Sequence, residues 1–297
     1  MILKGVVAAI VTPFDEKGRI DEKALRDLCK FEVSKGVNGI FALGTTGEGT
    51  LQDVSTRKFA AEVIKDELKG KLPVVLHVGD LKVKDIWELT KHAIDIGVDA
   101  ITSIAPYYYK VKDEELKDFY IELSKNVPED YPVYIYNFPG VTNNDVTTPI
   151  LKELLEETKN IRGIKFSSAD MIRLQEYIGL KSDRFNVLSG CDPLFYTMLC
   201  MGCDGLVSGN SNVMPEVFVK LYEAYIKGKH EKARELQFYA REVADLLQDG
   251  NVPIIKAGMS INGLNGGYVK KPLKDLDVKS RELLLNKLKK LKGKVER

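Results

Sequence analysis

Four short segments of this 297-residue chain hold residues whose types could do chemistry together. Gly163-Ile164-Lys165-Phe166 sets a lysine in a run that is otherwise apolar apart from Arg162. A lysine at the inner end of such a run is costly to bury as an ammonium, so it would present a nucleophilic amine. An amine of that kind condenses with a ketone to a Schiff base, an electron sink for making or breaking the neighbouring C–C bond. A lysine that reaches solvent or pairs with a carboxylate is the plainer alternative. Gly44-Thr45-Thr46-Gly47-Glu48 offers two hydroxyls and free backbone N–H groups, suited to a carboxylate, although an ordinary glycine-rich turn reads the same way. Tyr136 ends Val133-Tyr134-Ile135-Tyr136 and could relay a proton, or be a core tyrosine with a satisfied hydroxyl. Pro106-Tyr107-Tyr108-Tyr109 is the fourth segment, with packing or interface as its ordinary use.

Something must bring these segments to one place. Apolar runs rich in Val and Ile begin near Gly5, Val37, Pro73, Ala100, Pro132, Ile161, Phe185 and Asp204. Each has the length of a strand buried on both faces of a parallel sheet. Helical spacing fills the gaps, as in Leu25, Leu28, Cys29 and Val33, and capping residues open several of them: Asp21, Asp53 and Thr148-Pro149. The runs recur about every 28 residues, the size of one strand-plus-helix unit. Eight units predict an α/β fold, a closed (β/α)₈ TIM barrel more than an open doubly wound sheet, and a barrel's chemistry gathers where strands end. From Pro215 on, only helical stretches follow, near 215–227, 231–249, 253–262 and 277–293. The reading is a barrel over residues 1–227 and a C-terminal helical region over 228–297 packed on it.

Composition removes other classes of function. Forty-four Lys and Arg against 43 Asp and Glu give a net charge of +1, which leaves no electrostatic case for nucleic acid. The opening run, Met1 to Phe14, is interrupted by Lys4 and reads as a buried strand rather than a signal or span. No stretch of about twenty apolar residues suggests a membrane partner. The basic end, Lys287 to Arg297, reads as an amphipathic helix with a solvated face. Four unevenly spaced cysteines in a chain this large predict free thiols and a cytoplasmic protein. Cys200-Met201-Gly202-Cys203 has redox-like spacing but precedes a strand, so it reads as packing. His77 falls in a strand and reads as core; His92 and His230 fall in helices and read as exposed. Ser208 to Asn212 could bind phosphate, as loops after late barrel strands do.

In order and spacing, six motifs resemble the dihydrodipicolinate synthase / N-acetylneuraminate lyase family of Schiff-base aldolases. They are Ala9-Ile10-Val11-Thr12-Pro13-Phe14, Gly44-Thr45-Thr46-Gly47-Glu48, Ala105-Pro106-Tyr107-Tyr108-Tyr109, Tyr136-Asn137-Phe138-Pro139, Gly163-Ile164-Lys165 and Gly266-Gly267-Tyr268-Val269. The resemblance implies a barrel with a helical C-terminal region, a homotetramer of paired dimers, and pyruvate as the common ketone. It implies Lys165 as the Schiff-base lysine and Tyr136 as the proton relay. Thr45 and Thr46 match the carboxylate-binding pair, Thr45 also lying on the relay path, and Tyr108 matches the tyrosine that some members lend to a neighbouring subunit. Val207 matches a position bordering pyruvate, and Gly190, Asp192, Ser208 and Ser167 lie where members contact substrate hydroxyls. No metal or cofactor is implied, because the iminium withdraws electrons as a zinc ion otherwise would.

The synthases of the family carry an arginine where this chain has Val141, so the carboxylate clamp for their aldehyde substrate is missing. Ala105 to Tyr109, Pro132 to Pro139 and Ser211-Asn212-Val213-Met214-Pro215-Glu216 look most like archaeal 2-keto-3-deoxygluconate aldolases. Glu48 and Lys165-Phe166-Ser167-Ser168 are closer to the sialic acid lyases. The expected substrates are therefore pyruvate, an aldehyde and a 2-keto-3-deoxy sugar acid. N-acetylneuraminate cleavage, 4-hydroxy-tetrahydrodipicolinate synthesis, a dehydratase on the same Schiff base and a non-catalytic keto-acid-binding barrel are the alternatives.

Overall fold

The structure is a computed structural model that describes residues 3–295; Met1 and Ile2 of the opening run, and Glu296 and Arg297 of the basic end, lie outside the described residues. Eight parallel strands form the centre: β1 (Gly5–Ala9), β2 (Gly39–Ala42), β3 (Val74–His77), β4 (Ala100–Ile104), β5 (Val133–Asn137), β6 (Ile161–Phe166), β7 (Asn186–Ser189) and β8 (Gly205–Ser208). Each pairs with the next in sequence, and β8 closes on β1 with Val207 beside Val7. The result is a TIM barrel. Several strands start one or two residues later than the apolar runs, with Pro73, Pro132 and Asp204 each standing just before the first strand residue.

Around the barrel run α1 (Glu22–Ser34), α2 (Val54–Leu68), α3 (Val83–Asp95), α4 (Asp113–Lys125), the single turn α5 (Pro139–Thr142), α6 (Thr148–Glu157), α7 (Met171–Ile178), α8 (Phe195–Met201) and α9 (Pro215–Ile226). Asp21 caps α1 by accepting from the Ala24 N–H at 3.0 Å, and Asp53 caps α2 by accepting from Thr56 at 2.7 Å. Each cap satisfies an orphan donor and contributes about 1 kcal/mol. At α6 the cap position is Thr147, one residue before Thr148, and its side chain makes no capping bond. The Thr148 hydroxyl instead donates to Glu176 on α7 at 2.5 Å.

Residues alternate sides along a strand, so each strand feeds two apolar compartments. Val7, Ala9, Phe41, Val75, Tyr134, Tyr136, Leu188 and Val207 point into the barrel. Val6, Ala8, Ile40, Ile135, Ile164, Phe166 and Leu206 point outward and pack beneath the helices. α10 (His230–Leu246), α11 (Val252–Gly258) and α12 (Val278–Val295) follow, with a further 3₁₀ turn at Met259–Asn262. Their buried Ala240, Val243, Ile255 and Leu288 join the outer compartment, so helices and barrel share one core.

Candidate active site

β5 and β6 run in register with Tyr136 beside Lys165. Alternation turns both side chains inward at the carboxyl ends of their strands, where barrel chemistry gathers. The Lys165 Nζ stands 3.8 Å from the centroid of the Tyr136 ring and 4.6 Å from that of Phe41. Phe41 meets Tyr136 edge-on and Phe138 stacks near it, so the phenol ring is fixed from two sides. Its hydroxyl lies 3.2 Å from Thr45 Oγ1, which joins strand 5 to the turn after strand 2.

These groups open into a cavity of about 570 Å³. Thr45, Thr46, Tyr136, Lys165, Ser167, Gly190, Asp192 and Val207 all line it. Gly190 is set by close approach: a Cβ there would meet Ser167 Oγ at 2.1 Å and Lys165 Cε at 3.1 Å. Any side chain there would displace the Ser167 hydroxyl and crowd the end of the lysine.

Asp192 is buried against the cavity wall, its Oδ2 accepting from Ser208 Oγ and Asn210 Nδ2, both at 2.7 Å. Burial pushes its carboxyl up to about 6, against the opposing pull of those two donors and of Lys165. It therefore changes charge within the ordinary working range of pH.

Two of the expected residues, Ser208 and Tyr108, do not line this cavity. Ser208 does not line the cavity: it follows inward-facing Val207 on β8, so it is turned away, fully buried, and holds Asp192. Its hydroxyl thus supports a lining residue. Tyr108 stands outside the cavity, 77% exposed at φ 75°, edge-on to Tyr109. Val141 sits exposed on α5 and does not line the cavity.

The loop expected to bind phosphate turns its side chains inward. Ser211 Oγ donates to the Ser208 carbonyl, and Asn212 Nδ2 donates to the carbonyls of Ala9 and Gly209. Gly209 and Asn210 still line the cavity. The sequence reading missed Arg241 on α10 together with Asp249 and Gly250 after it, which line the same cavity. Arg241 pairs with Asp245 at 2.7 Å, one turn along its helix.

His77 is buried, and its Nε2 accepts from the Ile104 N–H at 3.2 Å. Burial, with Arg57 and Lys165 nearby, holds it well below the usual histidine range. His230 is exposed, but His92 is mostly covered because it pairs with Glu62 at 2.8 Å. All four cysteines are free; Cys203 is buried against the Val187 carbonyl, and Cys200 is exposed. Among the described residues no three His, Cys, Asp or Glu side chains cluster to hold a metal ion. No helix among them is long and apolar enough to cross a membrane.

The model of the dihydrodipicolinate synthetase family matches residues 2–291. The chain belongs to that family. It is 34% identical to the 4-hydroxy-tetrahydrodipicolinate synthase of Methanopyrus kandleri, over 97% of this chain and 96% of that one. It is 32% identical to the N-acetylneuraminate lyase of Lactiplantibacillus plantarum, over 92% and 93% respectively. Among solved structures, a doubly substituted variant of the Sulfolobus solfataricus 2-keto-3-deoxygluconate aldolase superposes with a TM-score of 0.90 at 28% identity, covering 98% of this chain and 97% of that one. Three activities thus appear among relatives of similar distance. What they share is Schiff-base aldolase and lyase chemistry on carbon–carbon bonds, and that much holds for the family to which this chain belongs.

Proposed function

We propose that the protein is a pyruvate-dependent aldolase that cleaves 2-keto-3-deoxy sugar acids such as 2-keto-3-deoxygluconate. The observation that carries the reading is the approach of Lys165, Tyr136 and Thr45 at the base of one cavity. Thr45 and Thr46 hold the substrate carboxylate. The Lys165 amine attacks the keto carbon to give a carbinolamine, and Tyr136, through Thr45, delivers the proton with which its hydroxyl leaves as water. The iminium then takes up the electron pair of the C3–C4 bond, the C4 hydroxyl gives its proton back to the Tyr136 phenolate, and an aldehyde departs. The remaining enamine is protonated at carbon, and water releases pyruvate and regenerates the lysine.

Two features favour a sugar acid. Val141 stands where the synthases carry an arginine for the carboxylate of their aldehyde substrate, and it is exposed away from the cavity. About 570 Å³ is room for a hydroxylated chain beyond the ketone, with Asp192 and Ser167 as partners for its hydroxyls. In this proposal the enzyme works in the cytoplasm as a homotetramer, in which Tyr108 reaches a neighbouring subunit's site.

The test is pyruvate release from 2-keto-3-deoxygluconate beside N-acetylneuraminate, with Lys165→Ala as the blank. Release from the sugar acid alone, abolished in a folded Lys165→Ala protein, is the expected result. Release from N-acetylneuraminate alone would move the assignment to the sialic acid lyases. An active Lys165→Ala variant, or silence on both substrates, would overturn it.

A further inference from the structure

The Thr45–Thr46 turn is bracketed by two non-glycine residues in the left-handed region, Leu43 at φ 59° and Glu48 at φ 55°. Side chains disfavour that conformation, so something must hold the turn in it. Behind it lies a closed circuit of buried groups. The Gly47 carbonyl accepts from Thr12 Oγ1 at 2.8 Å and from Gln52 Nε2 at 2.7 Å. Glu48 Oε2 accepts from the Lys270 N–H at 2.6 Å, and its Oε1 meets Lys256 Nζ at 2.5 Å. Lys256 in turn donates to the carbonyls of Thr12 at 2.8 Å and Tyr268 at 2.6 Å, with the Phe14 ring 4.6 Å from its ammonium.

The Glu48 and Lys256 side chains are both 1% exposed, and neither lines the cavity. The Gly266-Gly267-Tyr268 strap closes the circuit by lying directly on Lys256 and Phe14. A Cβ on Gly266 would meet the Lys256 carbonyl at 2.3 Å, and one on Gly267, at φ 67°, would meet the Phe14 nitrogen at 2.5 Å. A second buried glutamate shows the contrast. Glu32 on α1 has neither carboxylate oxygen hydrogen-bonded among the described residues, and burial, with Glu216 adding to it, raises its carboxyl well above the usual range. Glu48 instead has one oxygen hydrogen-bonded to the Lys270 N–H and, against the other, a cation from a helix far along the sequence.

Burying an ion pair gives little net stability over apolar residues of the same volume, so stability alone does not account for the arrangement. What a buried pair does supply is a single geometry. We infer that Glu48 and Lys256 are positioning residues: through this pair α11 sets the Thr45–Thr46 turn at the spacing that accepts a keto-acid carboxylate. The inference rests on the proposed role of that turn.

The experiment is borohydride trapping of a ketone on the whole protein, followed by intact mass. Pyruvate is compared with hydroxyacetone, a ketone without the carboxylate. The variants are Glu48→Gln and the double variant Glu48→Leu/Lys256→Met, which removes both charges together so that neither is stranded. In a folded variant the half-saturating pyruvate concentration rises about tenfold or more, whereas trapping at saturation and the response to hydroxyacetone change little. Equal losses with both ketones would mean general damage and would overturn the inference, as would unchanged pyruvate saturation in either folded variant. Failure of the wild-type protein to trap pyruvate would instead strike the aldolase reading, and this inference with it.

Discussion

Two tyrosines stand two residues apart on β5, both turned into the barrel, one nearer the floor and the other at the mouth. The Tyr134 hydroxyl accepts from the Leu3 N–H at 3.0 Å, and the Leu3 carbonyl accepts from Asn186 Nδ2. Gly163 leaves the space its ring fills, since a Cβ there would meet that ring at 2.4 Å. Burial pushes the Tyr134 phenol up to about 12. The Tyr136 ring is as well packed, yet its hydroxyl points at Thr45 and borders the cavity with Lys165. The residue type and the strand face are the same. Position along the strand decides which hydroxyl is closed into the main chain and which is open to a substrate, because barrel loops build a site only at the carboxyl ends.

The largest contrast should come from removing each hydroxyl in turn. For Tyr136→Phe we expect kcat to fall by about 10²–10⁴, the usual contribution of a positioned proton donor, with the melting temperature almost unmoved. Steady-state cleavage and a thermal melt on the same preparation check it. A Tyr136→Phe enzyme within a factor of a few of wild type would dissolve the distinction between the mouth and the floor.

This contrast was partly legible in the sequence. The eight apolar runs, their spacing and the lysine at the end of the sixth sufficed for the barrel and for which strand ends meet, because period and length are local properties. Alternation alone could also have shown that the Ser208 side chain faces away from the barrel interior, since a strand that turns Val207 inward must turn its neighbour outward. Arg241 and Asp249 were not legible, because a helical pattern shows which face is apolar but not which loop its polar face reaches. Lys256 was hidden for the same reason: its partner lies on the turn after β2, and no local signal links them. His92 looked exposed because the acid covering it, Glu62, belongs to another helix.

Asp192 is the mouth residue whose charge should be visible to a titration. Because its carboxyl sits near 6, lowering the pH from 8 to 5 replaces a hydroxyl-accepting carboxylate with a neutral acid. We expect KM for the sugar acid to rise severalfold across that interval, with pyruvate trapping insensitive to this step. Asp192→Asn should flatten the profile. Linkage fixes the sign for stability. A folded value raised from 3.8 to about 6 favours the native state fully below the unfolded value, and that contribution is lost as pH rises through 6. The loss is about 3 kcal/mol at most. Asp192→Asn should therefore melt higher than wild type at pH 8 and match it near pH 3. A parallel pH dependence of the two proteins would refute the assignment.

The smallest effect on turnover belongs to the floor. Tyr134→Phe removes a hydroxyl that no substrate reaches and leaves the Leu3 N–H buried without its acceptor. An unsatisfied buried donor costs about 1–3 kcal/mol, so chemical denaturation should register a loss of that size. Neither kcat nor the half-saturating pyruvate concentration should change, since Tyr134 is buried among the inner barrel residues and, unlike Tyr136, does not line the cavity. A fall in kcat larger than the loss of folded protein explains would mean that the floor transmits strain to Lys165. Floor and mouth would then be one mechanical unit, and the division between a structural and a chemical end of β5 would have to be given up.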